Sequence, residues 1–298
     1  MAETRKRTVF ITGASPGGIG NALAAEFLDR GYHVLGTARD PAVLKDLEAR
    51  GMTALALDVT TEKSIKLCTD EVARLTNGKL DILVNNAGAR DVTPFLDSSP
   101  EKSQMVFQTN ILGPMRIVQL LIPSLIATKG LIINTSSAST RVPYLFGSVY
   151  SASKGALDVW SSVLRMELKP FGVRVMLSVT GTVTSSNTKL EDTLPENSLY
   201  KPVEDVFQWR LSYSQKKKTM KREEFAKRLA DAAERGNGWF GGLFGGTPLE
   251  FWAGGMTGII WFATTFMPRW VVEWYTAVHF GVPKMSKRLQ EARAKRTD

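Results

Sequence analysis

The chain is poor in the residues that crosslink proteins and bind metals. It carries one cysteine, Cys68, among 298 residues. A lone thiol excludes an internal disulfide framework and points to a reducing compartment. Histidine occurs twice, at His33 and His279. Two distant imidazoles without a cysteine cluster argue against a metal site of those ligands, and against a Ser-His-Asp hydrolase. No signal peptide is read at the start, because the apolar run after the first basic residues is short and breaks at Gly13. The expected location is the cytosolic side of the cell. Hydrophobic residues at 43% and charged residues at 22% exclude disorder as the main state. A chain of this length buries roughly three quarters of its unfolded surface and folds without staples.

Negative charge is also in short supply, and the formal net charge is +9. Lys216, Lys217, Lys218, Lys221 and Arg222 form one basic cluster, and Lys284, Lys287, Arg288, Arg293, Lys295 and Arg296 form a tail. Such an excess suits an anionic membrane surface or an anionic substrate as well as a plain solvated helix face. No helix-turn-helix, zinc or RNA-stacking motif accompanies it, so nucleic acid is not an expected partner.

From Thr8 to Val179 short β-branched runs alternate with amphipathic stretches. Strands are predicted at Thr8–Thr12, Tyr32–Thr37, Ala54–Leu57, Leu80–Val84, Leu131–Thr135 and Val173–Val179. Helices are predicted at Ile19–Arg30, Pro41–Arg50, Ser64–Leu75, Gln104–Ile126 and Ser151–Leu168. This alternation, with nearly continuous apolar strands, predicts an α/β fold with a doubly wound parallel sheet. Residues 1–185 would form the dinucleotide-binding core. Residues 186–298 would form a helical, aromatic-rich lid of the same fold, with helices near 202–217 and 221–235. Phe251–Pro268 carries no charge over 18 residues. It reads as a short membrane span, as an interfacial segment, or as a buried lid. Trp239, Trp252, Trp261, Trp270 and Trp274 suit a headgroup boundary.

The first strand runs into Gly13-Ala14-Ser15-Pro16-Gly17-Gly18-Ile19-Gly20 and then a helix. A glycine turn at a helix N-terminus lets backbone approach a pyrophosphate. Gly13, Ser15, Gly18, Ile19 and Gly20 are therefore candidate cofactor contacts. Strand two ends in Thr37-Ala38-Arg39 without an acidic residue. Arg39 offers a planar fork to a 2′-phosphate, which favours NADPH/NADP+ over NAD, with Thr37 beside it. Asp58 follows strand three and suits the adenine amino group or a helix cap. Asn85 and Ala87, in Asn85-Asn86-Ala87-Gly88 after strand four, suit a turn on the adenosine side.

Tyr150 and Lys154 are four apart and share one helix face. An unperturbed phenol is a weak acid at neutral pH, and a nearby ammonium stabilises its anion. Lys154 is expected to do this and to hold the nicotinamide ribose, so that Tyr150 delivers a proton to a carbonyl oxygen as hydride reaches the carbon. Ser137 would hydrogen-bond that oxygen, and Asn110 would anchor a water that passes protons to Lys154. Each residue alone has an ordinary structural explanation; the joint order after a strand–glycine turn–helix points to catalysis.

With these motifs, TGASPGGIG, NNAG, Ser137 and YSASK, the chain resembles the short-chain dehydrogenase/reductase family from Thr8 to about Ser185. The resemblance implies a Rossmann-type sheet of about seven strands and the four catalytic roles above. Two departures stand out: a glycine turn one residue longer, and Thr180-Gly181 in place of Pro-Gly after strand six. Val183 and Ser185 would then take the nicotinamide amide and phosphate contacts. The turn, the Thr-Gly replacement, LPENSLY at 194–200 and MPRWVVEW at 267–274 are similar to fungal NADPH-dependent 1-acyldihydroxyacetone-phosphate reductases. That narrower resemblance implies reduction of a lipophilic ketone at the cytosolic face of the endoplasmic reticulum or lipid droplets. Reduction of a polyketide, terpenoid or steroid-like ketone is the enzymatic alternative. A cofactor-binding membrane protein with incidental redox activity is the non-enzymatic one. Family members pair through helices flanking the sheet, so a homodimer or homotetramer is expected.

Overall fold

The computed structural model describes residues 5–185, 193–216, 219–238 and 245–297. Lys217, Lys218 and Trp239, singled out above, lie outside them.

Seven parallel strands form one sheet in the order β3-β2-β1-β4-β5-β6-β7. They are β1 (Thr8–Ile11), β2 (His33–Ala38), β3 (Thr53–Ala56), β4 (Ile82–Asn85), β5 (Leu131–Ser137), β6 (Arg174–Thr180) and β7 (Glu250–Ala253). Successive side chains of a strand face opposite sides. Val9 and Ile11 of β1 enter one core with Val34, Val84, Ile133 and Met176. Phe10 enters the other with Leu35, Leu83, Ile132 and Val175. Helices cover both faces, which is why the strands lack an alternating polar side. The first core is closed by α1 (Ile19–Asp29) and α8 (Arg222–Ala233), the second by α3 (Glu62–Leu75), α5 (Gly113–Ile126) and α6 (Ser148–Leu168). A short α2 (Lys45–Glu48) follows a 3-10 turn at Pro41–Leu44, where one longer helix is predicted.

The helix predicted at 104–126 is three pieces. Pro100–Phe107 (α4) starts early because the Ser99 hydroxyl accepts from the Lys102 N–H at 3.1 Å and Pro100 stands in its first turn. A π-helical turn, Gln108–Leu112, then separates it from α5. Pro100–Ile126 is also the one stretch among the described residues long and apolar enough to cross a bilayer, and it packs in the core.

The uncharged segment 251–268 forms no continuous helix. Its first residues belong to β7, which pairs with β6 and completes the sheet. The next, Gly254–Met256, turn the chain, and α9 (Thr257–Phe266) begins. A single membrane span across 251–268 is thereby excluded: hydrogen bonding to β6 uses the backbone that such a helix would need. Close backbone contact explains the glycines at this junction. A Cβ on Gly181 would lie 2.4 Å from the Gly255 carbonyl oxygen.

The remaining helices are α7 (Glu204–Lys216), α10 (Arg269–His279) and α11 (Val282–Thr297). Helices α7 and α11 gather on a satellite core with Val203, Phe207, Leu211 and Met285 against Val92 and Phe146, and α10 packs against α9 and α11. The polar helix α8 instead joins the sheet, pinned by Arg30, which pairs with Asp231 and Glu234 at 2.6 Å each. Thus α8 and β7, both after residue 185, finish the sheet and its core.

Candidate active site

The strand order reverses between β1 and β4, and the crevice outside their carboxyl ends is where such sheets bind ligands. The glycine turn sits there. Gly18 N–H donates to the Ser15 carbonyl at 3.1 Å across Pro16 and Gly17, and Gly17 has φ +76°. Proline second and a left-handed glycine third is the type II pattern, so the extra residue is absorbed as a local turn. Gly18 caps α1 without a side-chain hydrogen bond, so the first-turn amides are available to an anion.

One cleft of about 1000 Å³ collects most of the expected residues. Gly13, Ser15, Gly18, Ile19, Thr37, Arg39, Asp58, Ala87, Ser137, Tyr150, Lys154, Val183 and Ser185 all line it. Three do not. Gly20 lies beneath the turn, where a Cβ would meet the Gly13 carbonyl oxygen at 2.3 Å. Asn85 is buried in the sheet and donates to Asn134 Oδ1 at 2.8 Å, so a structural bond occupies its amide. Its neighbour Asn86 lines the cleft and donates to the carbonyls of Thr12 and Gly13 at 3.0 and 2.9 Å.

Asn110 is the third. It is buried in the π-helical turn, where Nδ2 donates to Ala89 O and Ser153 Oγ at 2.9 Å each. Its Oδ1 accepts from Ala89 N–H at 2.8 Å. Both amide hydrogens are committed to holding the Ala89 backbone and the residue before Lys154. The side chain thereby holds the loop after β4 against α6.

Arg39 is exposed at the end of β2 and makes no ion pair with any described residue. Asp40 accepts from the Ala42 N–H at 3.0 Å, so it caps the next turn instead of neutralising Arg39. Asp58 accepts two hydrogen bonds from Thr60, at 2.9 Å from N–H and 2.7 Å from the hydroxyl. These bonds, with the Arg39 charge, hold its carboxyl below the usual range. A cationic fork, an adjacent carboxylate and open helix amides fit a phosphorylated dinucleotide.

Ser137 ends β5, and Tyr150 and Lys154 lie in the first turns of α6. The Ser137 hydroxyl lies beside the Tyr150 phenol and lowers its pKa. Lys154 Nζ donates to the Thr135 carbonyl at 2.7 Å. Burial raises the Tyr150 phenol above its ordinary value, while the Arg90 charge and the Ser137 hydroxyl draw it down. Burial pushes the Lys154 ammonium down to about 8, opposed by the charge of Asp158. Arg90 had no signal of its own in the sequence: it follows the NNAG turn as one cation among many. Tyr144, Tyr213, His279 and Phe280 also line the cleft and were missed, because the lobe that supplies the last three meets the site only in three dimensions.

The family model described as short chain dehydrogenase matches residues 7–195. The chain belongs to that family. Short-chain dehydrogenase srdE of Neurospora crassa is 35% identical over 299 residues, covering 99% of both chains. The NADPH-dependent 1-acyldihydroxyacetone phosphate reductase of Schizosaccharomyces pombe is 40% identical over 263 residues, 85% of this chain and 87% of the relative. Among solved structures, a short-chain dehydrogenase from Streptomyces avermitilis superposes with a TM-score of 0.72 at 26% identity, over 99% of this chain and 96% of that one. This dehydrogenase is an oxidoreductase, and its Ser137, Tyr150 and Lys154 stand together on one wall of the cleft.

The Lys154 amine carries its charge below about pH 8 and loses it above. Turnover in the reducing direction should therefore fall as pH rises through that value. In Lys154→Arg, whose guanidinium stays protonated, the fall should move upward even if the maximal rate is lower. A kcat–pH profile of both proteins with an unchanged limb would exclude Lys154 as its source.

Proposed function

We propose that this short-chain dehydrogenase is an NADPH-dependent reductase of lipophilic ketones, with 1-acyldihydroxyacetone phosphate as the leading substrate, working at a lipid surface on the cytosolic side. The observation that carries the reading is the composition of the cleft. The wall bearing Ser137 and Tyr150 continues into an apolar wall from α9 and α10, including Ile260, Ala263, Met267 and Val272. A long acyl chain needs such cover, and a small polar ketone does not. Similarity to the Schizosaccharomyces pombe reductase over most of both chains supports the same substrate class.

Arg39 would hold the 2′-phosphate, the glycine turn and α1 the pyrophosphate, and Lys154 the nicotinamide ribose. Bound NADPH supplies a hydride to the carbonyl carbon. Ser137 hydrogen-bonds the carbonyl oxygen and orients it toward Tyr150. The phenol gives that oxygen its proton, and the Lys154 charge stabilises the phenolate left behind. Asn110 keeps the loop after β4 and the start of α6 in register.

The outer surface of the same apolar wall favours a lipid site. Phe266 is 64% exposed and Trp270 is 70% exposed, with Trp261, Phe262, Trp274 and Tyr275 on the same two helices. This is a contiguous run of large apolar side chains of the kind that marks an interaction surface. Lys284 and Lys287 of α11 are exposed nearby in sequence, and each basic residue near an anionic surface contributes about 1 kcal/mol. Ile259, Met267, Trp274 and Tyr275 are both exposed and part of the cleft wall, so the cleft opens onto this face. A lipid substrate would enter without crossing water.

Three measurements test the reading. NADPH consumption should be fastest with a long-chain acyldihydroxyacetone phosphate, and Tyr150→Phe should lose about 10²–10⁴-fold in rate while still binding NADPH. Retained turnover would remove Tyr150 as the acid; activity on non-phosphorylated ketones alone would move the role to specialised metabolism. Arg39→Ala should weaken NADPH binding by about 10- to 100-fold and leave NADH binding nearly unchanged. Equal losses would take Arg39 away from the 2′-phosphate. The wild-type protein should sediment with phosphatidylcholine–phosphatidylserine vesicles, and a Phe266→Ser/Trp270→Ser protein should stay in the supernatant. Equal sedimentation would rule out this face as the contact.

A further inference from the structure

Two cations at the cleft, Arg90 and Arg210, pair with no carboxylate among the described residues. Arg90 lines the cleft, and among the described residues it has no hydrogen bond or ion pair. The carboxylate next to it in sequence is already engaged: Asp91 is fully buried, pairs with Lys102 at 3.1 Å and accepts from the Ser98 hydroxyl at 2.7 Å. Arg210 is wholly buried behind the wall. Its guanidinium carbon sits 3.3 Å from the Tyr144 ring centroid and 5.1 Å from that of Phe280, and both rings line the cleft. Its Nε and Nη2 have no hydrogen-bond partner, and no described carboxylate pairs with it.

The charges act on one region. Arg90 is among the groups that depress the Arg210 guanidinium, and it also draws down the Tyr150 phenol. Among the cleft-lining residues the sole carboxylate is Asp58, which sits with Thr60 and feels Arg39. Holding the buried Arg210 beside the half-buried Arg90 without a counter-ion is costly, and a bound anion reduces the cost. Of the basic cluster that ends at residue 222, Arg222 is placed at the cofactor turn. Arg222 donates to the Gly17 carbonyl at 3.1 Å, on the glycine turn, and pairs with Glu223 at 2.8 Å.

We propose that Arg90, reinforced by the buried charge of Arg210, is the anion-recognising residue of the substrate site, so the ketone reduced here carries a phosphate or carboxylate group. The proposal deepens the reductase reading and rests on it for the ketone. Arg90 provides the direct contact, a planar fork suited to two oxygens of one anion. Arg210 cannot touch the ligand; it raises the positive potential through the Tyr144 ring.

The test is a ratio, because Arg90 also faces Tyr150. For each protein, kcat/KM is measured with a long-chain acyldihydroxyacetone phosphate and with the same ketone lacking phosphate. Wild type should prefer the phosphorylated ketone. Arg90→Ala should cut that preference by about 10- to 100-fold, and Arg90→Lys should keep part of it. A preference unchanged in Arg90→Ala would overturn the proposal. Calorimetric titration with dodecyl phosphate and with laurate, in the presence of NADP+, separates the two ideas. If no ketone is reduced but either amphiphile binds in an Arg90-dependent way, the reductase reading fails and the anion site stands. Equal binding to wild type and Arg90→Ala removes the site. Tighter binding of dodecyl phosphate than laurate assigns phosphate as the anion; the reverse assigns carboxylate.

Discussion

The carboxyl ends of β1 and β4 are tied together by one pair of residues. Thr12 Oγ1 accepts the N–H groups of Asn86 and Ala87 at 3.0 Å each, while the Asn86 side chain returns two hydrogen bonds to the backbone of Thr12 and Gly13. In a parallel sheet these two strands are neighbours at the point where the order reverses, so the chain departs from them in opposite directions. The strand-end backbone would otherwise present unpaired groups to the cleft. Closing them with short side chains leaves the glycine turn on one side and the loop to Arg90 on the other. Both halves of the cleft are built from this junction.

From it the chemistry is assembled by burial. Lys154 is enclosed with its ammonium on a backbone carbonyl and no carboxylate in contact, which draws it down to about 8. Desolvation raises the neighbouring phenol. A proton donor and a cation that are each costly to charge in place are well suited to passing a proton, since small changes in surroundings decide who holds it. Asn110 serves this indirectly. The π-helical turn places its amide where it grips both the Ala89 backbone and Ser153.

The lobe after β6 plays two parts with one set of helices. Its inner sides supply apolar cover to the cleft, and its outer sides leave tryptophan and phenylalanine facing solvent. An ordinary lid hides its large side chains in the core. Here the satellite core is small, and α9 contributes only Thr257 as a buried residue, so helix packing does not account for that composition. The proposed lipid-facing surface does.

Much of the core was legible because its signals are local. A glycine turn between strand and helix, an arginine where an acid would exclude phosphate, and Tyr150 four residues before Lys154 each depend on neighbours in sequence, and hydrophobic periodicity placed six of the strands. What was misread depended on distant partners. The seventh strand hid in an uncharged run, since only β6 pairing tells strand from span. Asn85 and Asn86 are indistinguishable as neighbours, and the strand pleat sends one into the sheet and the other to the cleft. The sequence alone determined the fold family and the candidate cofactor turn and reacting side chains, because short-range geometry dictates them. Tertiary structure alone brought Arg90 beside Tyr150 without an ion pair among the described residues and placed the aromatic lobe over the cleft, because burial and charge balance are sums over residues far apart in the chain.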